Sequence, residues 1–207
     1  DRAQIKKLEQ NVDAIKGIYS PSTGIIDSDS FMKSLESIAK QKGVEFVYST
    51  KVDKIDKSSE GYIAHLINPD GSDFSFETRY LINSAGLEAD RLAEMVGINL
   101  DEHNYKQSFC KGDYFSIFNS QIILNSLVYP LPNKSNSGLG IHATIDLGNR
   151  IKLGPNVNYL EDRIYDYSVD ESQKEAFFNF CVKYLPDLRL EDLKPDHSKE
   201  DLNKYLS

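Results

Sequence analysis

Apolar positions along the chain change period several times, and each change marks an element. Phe31, Leu35, Ile38 and Ala39 fall at helical spacing behind the capping candidates Asp27, Ser28, Asp29 and Ser30, and Gly43 supplies the stop. That pattern predicts an amphipathic helix. Short apolar and β-branched runs then predict strands at Val44–Ser49, Lys51–Asp56 and Tyr62–Asn68. Pro69-Asp70-Gly71-Ser72 has the composition of a turn, and Phe74–Thr78 returns as the hairpin partner. Tyr80-Leu81-Ile82 runs through Asn83-Ser84-Ala85-Gly86 into a helix expected over Glu88–Val96. A buried strand that stops at small residues and passes directly into a helix is the layout of an α/β ligand site.

Past a polar stretch at Asn99–Ser108 the period becomes that of β-structure. Strands are expected at Tyr114–Phe118, Ile122–Leu124, Leu127–Leu131, Leu139–Ile145 and Arg150–Leu153. Helical spacing resumes near Val169–Leu185, with Ala176, Phe177, Phe180, Cys181 and Tyr184 on one face. Residues 1–16 read as polar and weakly helical, and Lys199–Ser207 reads as a polar tail. No internal repeat is present in the sequence.

Within this pattern Gly138–Ala143 (GLGIHA) matches the dinucleotide signature G-x-G-x-x-A. A phosphate-binding glycine turn must follow a strand and open a helix, so that the helix N-terminus faces the pyrophosphate. Here a polar loop, Asn133–Ser137, precedes the hexapeptide and a β-branched alternation follows it. The context predicts a turn into a strand that carries His142.

Composition narrows the function classes. The 207 residues suffice for one sizeable core, and a net charge of −8 argues against a nucleic-acid or anionic-membrane surface. No apolar run approaches the ~18 residues that a membrane span requires. Cys110 and Cys181 form neither a disulfide framework nor a zinc motif, which suits a reducing cytosol, and no metal site is expected.

The blocks KGDYF (Lys111–Phe115), VYPLP (Val128–Pro132), LGIHATID (Leu139–Asp146) and KLGPN (Lys152–Asn156) occur in this order. With SPSTGIID (Ser20–Asp27), the Lys51–Ile55 strand and LINSAGLEADRLAEMVGI (Leu81–Ile98), they resemble the FAD-dependent L-2-hydroxyglutarate oxidases/dehydrogenases. These belong to the wider D-amino-acid-oxidase-like superfamily, and the resemblance covers roughly residues 10–198. It implies a mixed fold, α+β with α/β character: a partial Rossmann-like FAD-binding domain plus a mostly antiparallel substrate-domain sheet with flanking helices. The corresponding division is an entry segment at 1–30, the partial FAD-binding domain at 31–98, the substrate-binding domain at 99–198 and the tail at 199–207.

The resemblance implies FAD as cofactor and a small 2-hydroxy acid as substrate, with hydride passing from its α-carbon to the flavin. It places Val52 at the adenine end and Ser84, Ala85 and Gly86 where the chain approaches the cofactor closely. Equally, Val52 reads as a plain core strand residue, and Ala85-Gly86 as strand–helix packing. On the substrate side the chemistry asks for a base and for donors to carboxylates. His142 is the candidate base, since imidazole titrates near neutral pH, against the alternative of a hydrogen-bonded structural histidine. Lys111, Tyr114 and Tyr129 are the candidate substrate contacts by resemblance. His65 and His103 lack a partner pattern and read as surface residues, and His197 lies where the resemblance ends.

Two family blocks have no counterpart here. These are the glycine-turn unit that holds the FAD pyrophosphate and the segment that follows Ser198. The expectation is a fragment that by itself binds FAD weakly or not at all and turns over no 2-hydroxy acid. A separately encoded FAD-binding half would complete it, in the cytoplasm or peripherally at an inner membrane. A non-catalytic remnant or binding module without flavin is the rival reading, and a related amino-acid or glycerol-3-phosphate oxidase is a third.

Overall fold

The computed structural model describes residues 1–118, 121–131, 140–196 and 205–206. Pro132, Gly138, Leu139, His197 and most of the expected tail lie outside the described residues. The chain forms two compact units, residues 1–31 with 109–206 and residues 32–108. It is a mixed α+β structure, and the pairings between its named strands are antiparallel among the described residues.

The unit of residues 32–108 contains most of α2 (Ser28–Gln41) and a meander of β1 (Lys51–Lys57), β2 (Tyr62–Ile67) and β3 (Asp73–Thr78) in the order β1-β2-β3. Asp27 caps α2 as its composition predicts, accepting from Ser30 N at 3.0 Å. Ile55, Ala64 and Leu66 are its buried strand residues. A register shift between Val52 and Lys54 adds one residue to β1, which lets both Val52 and Ile55 reach this apolar face. On the opposite face His65 is not partnerless. Its Nε2 lies 2.9 Å from Asp56 Oδ2 and its Nδ1 2.8 Å from Ser75 Oγ, a polar chain across all three strands. The sequence could not show these partners because each comes from a different strand.

Two expected strands are not formed. Val44–Ser49 and Tyr80–Ile82 have strand composition but enter no ladder among the described residues. A strand needs a partner for its backbone groups, and Val44 N donates instead to Ala39 O at the end of α2. The expected helix over 88–96 begins with a 3-10 turn at Gly86–Glu88 and continues as α3 (Ala89–Met95), followed by the single turn α4 (Leu100–His103).

The other unit is built on the sheet β6 (His142–Ile145), β7 (Ile151–Gly154), β5 (Phe115–Ile117) and β9 (Leu193–Pro195), in that order. Alternation assigns its faces. Ala143, Leu153, Phe115 and Leu193 are fully buried on one side, under Phe177, Cys181 and Leu185 from α5 (Lys174–Cys181) and the turn after it. Phe115 and Phe177 meet with ring centroids 4.8 Å apart. Burial pushes the Cys181 thiol up to about 12, and burial likewise raises Cys110. Ile122–Leu124 contributes Ile122 and Leu124 to this core without becoming a strand, and Leu127–Leu131 is reduced to one bridge, Val128 to Ala143.

Residues 1–16, which read as polar and weakly helical, are part of this unit. α1 (Arg2–Leu8) starts with a capping box between Asp1 and Gln4. Behind it Glu9, almost fully buried, accepts from Asn125 N at 3.0 Å, and Val12 joins the core. A second, smaller sheet pairs β4 (Phe109–Lys111) with β8 (Asn158–Leu160), and with the backbone of β10 (Tyr205–Leu206).

Candidate functional site

The face of the β6-β7-β5-β9 sheet away from the core carries the polar residues. Register places His142 opposite Gly154, and Thr144 and Ser116 opposite Lys152. His142 is 8% exposed, and the ring of Tyr129 lies over it at 4.4 Å between centroids, tilted by 57°. Tyr129 itself is 54% exposed.

Tyr114 reaches the same place through a glycine. A Cβ on Gly154, whose φ is +144°, would lie 2.7 Å from Tyr114 Cδ1 and 2.8 Å from Asp113 O. The Tyr114 ring therefore stands where a side chain opposite His142 would have stood. The structure thus gathers three of the sequence candidates, Tyr114, Tyr129 and His142, around one point of the sheet.

Lys111 lies elsewhere, on β4 of the smaller sheet. Its ammonium is 2.6 Å from Asp166 Oδ2 and 4.0 Å from Asp113 Oδ1. The Lys111 ammonium, and then the Ser168 hydroxyl and backbone, hold the Asp166 carboxyl far below the usual carboxylate range. Arg163, from the same loop as Asp166, sits 4.8 Å above the Phe109 ring. Two cationic contacts thus tie residues 163–168 across β4.

The sequence missed Asp113. It is 1% exposed, and its Oδ2 accepts from Asn158 Nδ2 at 3.1 Å and Asn156 Nδ2 at 3.4 Å. Its own backbone N donates to Asn156 Oδ1 at 2.7 Å. These bonds lace the KGDYF loop to the GPN loop and so fix the approach of Tyr114 to Gly154. The Asp in KGDYF and the Asn that ends KLGPN, with Asn158 two residues on, were the available signal. The buried pair of Lys152 and Asp196, 3.1 Å apart, gave none, because the two residues meet only through the order of the strands.

The candidate cofactor residues lie in the unit of residues 32–108. Val52 is half-buried at the β1 bulge, opposite Leu66. Ser84, Ala85 and Gly86 lie where an irregular, exposed segment turns into the 3-10 turn and α3. Ala85 N donates to Asn83 Oδ1 at 3.2 Å, and Asn83 Nδ2 donates to Ala89 O at 2.7 Å, so the side chain of Asn83 shapes this turn. Gly86 has φ +57°, and a Cβ there would meet no atom within 4 Å. A solvent-facing, glycine-shaped turn with open space before it fits the close approach of a flat cofactor.

Residues 1–198 match the family DAO, FAD dependent oxidoreductase. The chain is 29% identical to the mitochondrial L-2-hydroxyglutarate dehydrogenase of Arabidopsis thaliana over 230 residues, covering 93% of this chain and 47% of that protein. It is 30% identical to the L-2-hydroxyglutarate dehydrogenase of Salmonella houtenae over 155 residues, covering 74% of this chain and 35% of that one. The chain thus spans about half the length of such relatives or less. Among solved structures, the fold matches an FAD-bound L-alpha-glycerophosphate oxidase from Mycoplasma pneumoniae with a TM-score of 0.73 at 22% identity, covering 97% of this chain and 53% of that one. It also matches the glycine oxidase of Geobacillus kaustophilus with a TM-score of 0.67 at 18% identity, covering 94% and 47%. No helix among the described residues is long and apolar enough to cross a membrane. The chain belongs to the DAO family of FAD-dependent oxidoreductases.

Proposed function

We propose that this chain provides the substrate-facing sheet, and part of the cofactor-facing structure, of an FAD-dependent oxidoreductase that converts L-2-hydroxyglutarate or a similar small 2-hydroxy acid to the 2-oxo acid. The observation that carries this reading is the placement of His142, buried against Tyr129 and directly across from the glycine that Tyr114 covers. The likeness to L-2-hydroxyglutarate dehydrogenases supports this substrate class.

His142 takes the hydroxyl proton of the substrate on a ring nitrogen as the C–H bond at the α-carbon breaks. Tyr129 restricts the imidazole to one orientation and keeps water from it, and Tyr114 offers a phenolic hydroxyl to the acid. Val52, Ser84, Ala85 and Gly86 would hold the cofactor. FAD, when bound, supplies the two-electron acceptor for the hydride.

The test is anaerobic mixing of the protein, completed with an FAD-binding half and loaded with FAD, with L-2-hydroxyglutarate, glycine and glycerol 3-phosphate, read as loss of the oxidised flavin absorbance; the chain by itself should bleach with none of the three. The expected result is bleaching by the 2-hydroxy acid. His142→Asn should lower the rate about 10²–10⁴-fold, the range for a general base, with flavin content unchanged. Bleaching by glycine or glycerol 3-phosphate in preference would transfer the chain to that substrate class. A protein that still retains no FAD and oxidises none of the three after an FAD-binding half is supplied would be the non-flavin module.

A further inference from the structure

Asp56, His65 and Ser75 form a line across β1, β2 and β3 that the chemistry at His142 does not use. His65 stands directly opposite Ser75 in the register of β2 with β3, and opposite Lys54 in that of β1 with β2. Its Nε2 lies 2.9 Å from Asp56 Oδ2 and its Nδ1 2.8 Å from Ser75 Oγ. The imidazole and carboxylate side chains are 37% and 39% exposed, and Ser75 is exposed too. All three can be reached from solvent.

Charge fixes which way the protons point. The Lys54 ammonium lies 2.7 Å from Asp56 Oδ1, and this contact, then the one to His65, holds the carboxyl below its ordinary range. An ionised carboxylate only accepts, so the ring nitrogen beside it carries the hydrogen. In the neutral imidazole the other nitrogen is then bare and accepts from the Ser75 hydroxyl. A hydroxyl on a bare ring nitrogen, with a carboxylate across the ring, is a nucleophile with its base and its orienting group. Ser72 is the contrast. It is exposed as well, but its hydroxyl donates to the Asp70 carboxylate at 2.6 Å, a far weaker base than imidazole.

We propose that Ser75 is a nucleophile toward small activated esters, with His65 as its general base and Asp56 as the positioning residue. Ser75 Oγ attacks the ester carbonyl carbon while its proton passes to His65 Nδ1. The bond from that carbon to the leaving oxygen breaks, and His65 returns the proton to the departing alcohol or phenol. Water then adds to the acyl-serine by the same route, so that ester and water become acid and alcohol. Because the face is open, water solvates the developing oxyanion in place of preorganised donors, and esters with good leaving groups are the class that reacts. The reaction uses no flavin and is independent of the oxidoreductase reading.

The test adds p-nitrophenyl acetate to the 207-residue chain without FAD, and reads p-nitrophenolate release and the position of the acetyl group by peptide mapping. The acetyl group should appear on Ser75 and not on Ser72. Ser75→Ala should abolish this acylation, and Ser72→Ala, an equally exposed change, should keep it. His65→Asn should slow it about 10²-fold, the lower end of the range for a general base. In Asp56→Asn the amide oxygen serves the Lys54 ammonium and the NH2 group turns to the ring, which moves the ring hydrogen to Nδ1. That variant should lose about as much rate as His65→Asn, and ring-nitrogen NMR should show the tautomer exchanged, which loss of a merely structural contact would not do. Acetylation of lysines alone, equal labelling of Ser72 and Ser75, or a Ser75→Ala protein that reacts as fast overturns the assignment. A slower Asp56→Asn protein with its tautomer unchanged would remove Asp56 from the positioning role.

Discussion

At Gly154 two requirements meet in one residue. Its backbone occupies a region that side chains disfavour, and the space of its absent Cβ is filled by Tyr114 Cδ1 at 2.7 Å and Asp113 O at 2.8 Å. Gly154→Ala must move the Tyr114 ring and the laced loop together, at a cost of about 1–3 kcal/mol. Chemical denaturation would measure that loss, and the Tyr114 displacement should also slow flavin reduction. Asp166 presents a milder case. Its folded carboxyl is held below the unfolded value by Lys111, so the stability it adds is complete above about pH 4 and fades as pH falls further. With the Asp166 side chain 48% exposed, the contribution stays under about 1 kcal/mol. Denaturation of Asp166→Asn beside the unaltered protein should show this small difference at neutral pH and its disappearance in acid.

Helix α2 shows what periodicity does and does not carry. Phe31, Leu35 and Ile38 form the apolar stripe that predicted the helix, and the helix is there, capped by Asp27. Yet α2 has no buried residue, because a stripe announces a face without naming what covers it. Leu35→Lys is accordingly expected to change unfolding stability by less than about 0.5 kcal/mol, while lowering the fluorescence of a hydrophobic dye. A loss of several times that size would mean that the face is packed. Strands β6 and β7 are the converse. Their hairpin was legible from alternation across the Asp146–Asn149 turn, since both partners and the turn are local. The expected β-run at 44–49 had the right residues and no partner ladder, so composition misled there.

The unit of residues 1–31 and 109–206 depends on a core drawn from distant parts of the chain. Val12, Phe115, Leu153, Phe177 and Leu193 belong to one buried cluster. Phe177→Ala, at 1% exposure, should cost about 3–5 kcal/mol. Hydrogen exchange should then accelerate across β5, β7 and β9, the strands that Phe177 covers. Protection unchanged in those strands would show that α5 adds little to them.

Sequence by itself determined the alternation of the strands, the caps and turns, the reading of GLGIHA as an entry to a strand, and the family. All of these rest on residues near one another or on blocks in fixed order. It also singled out His142, Tyr114 and Tyr129, because their blocks carry recognisable chemistry. Only the tertiary structure decided that these three share one sheet face, that Lys111 is committed to Asp166 on another sheet, and that Lys152 and Asp196 form a buried pair. The Lys152–Asp196 pair follows from strand order: β5 lies between β7 and β9, and no local pattern encodes which distant strands become neighbours. Facing residues follow from alternation, whereas partners across a sheet follow from the path of the chain.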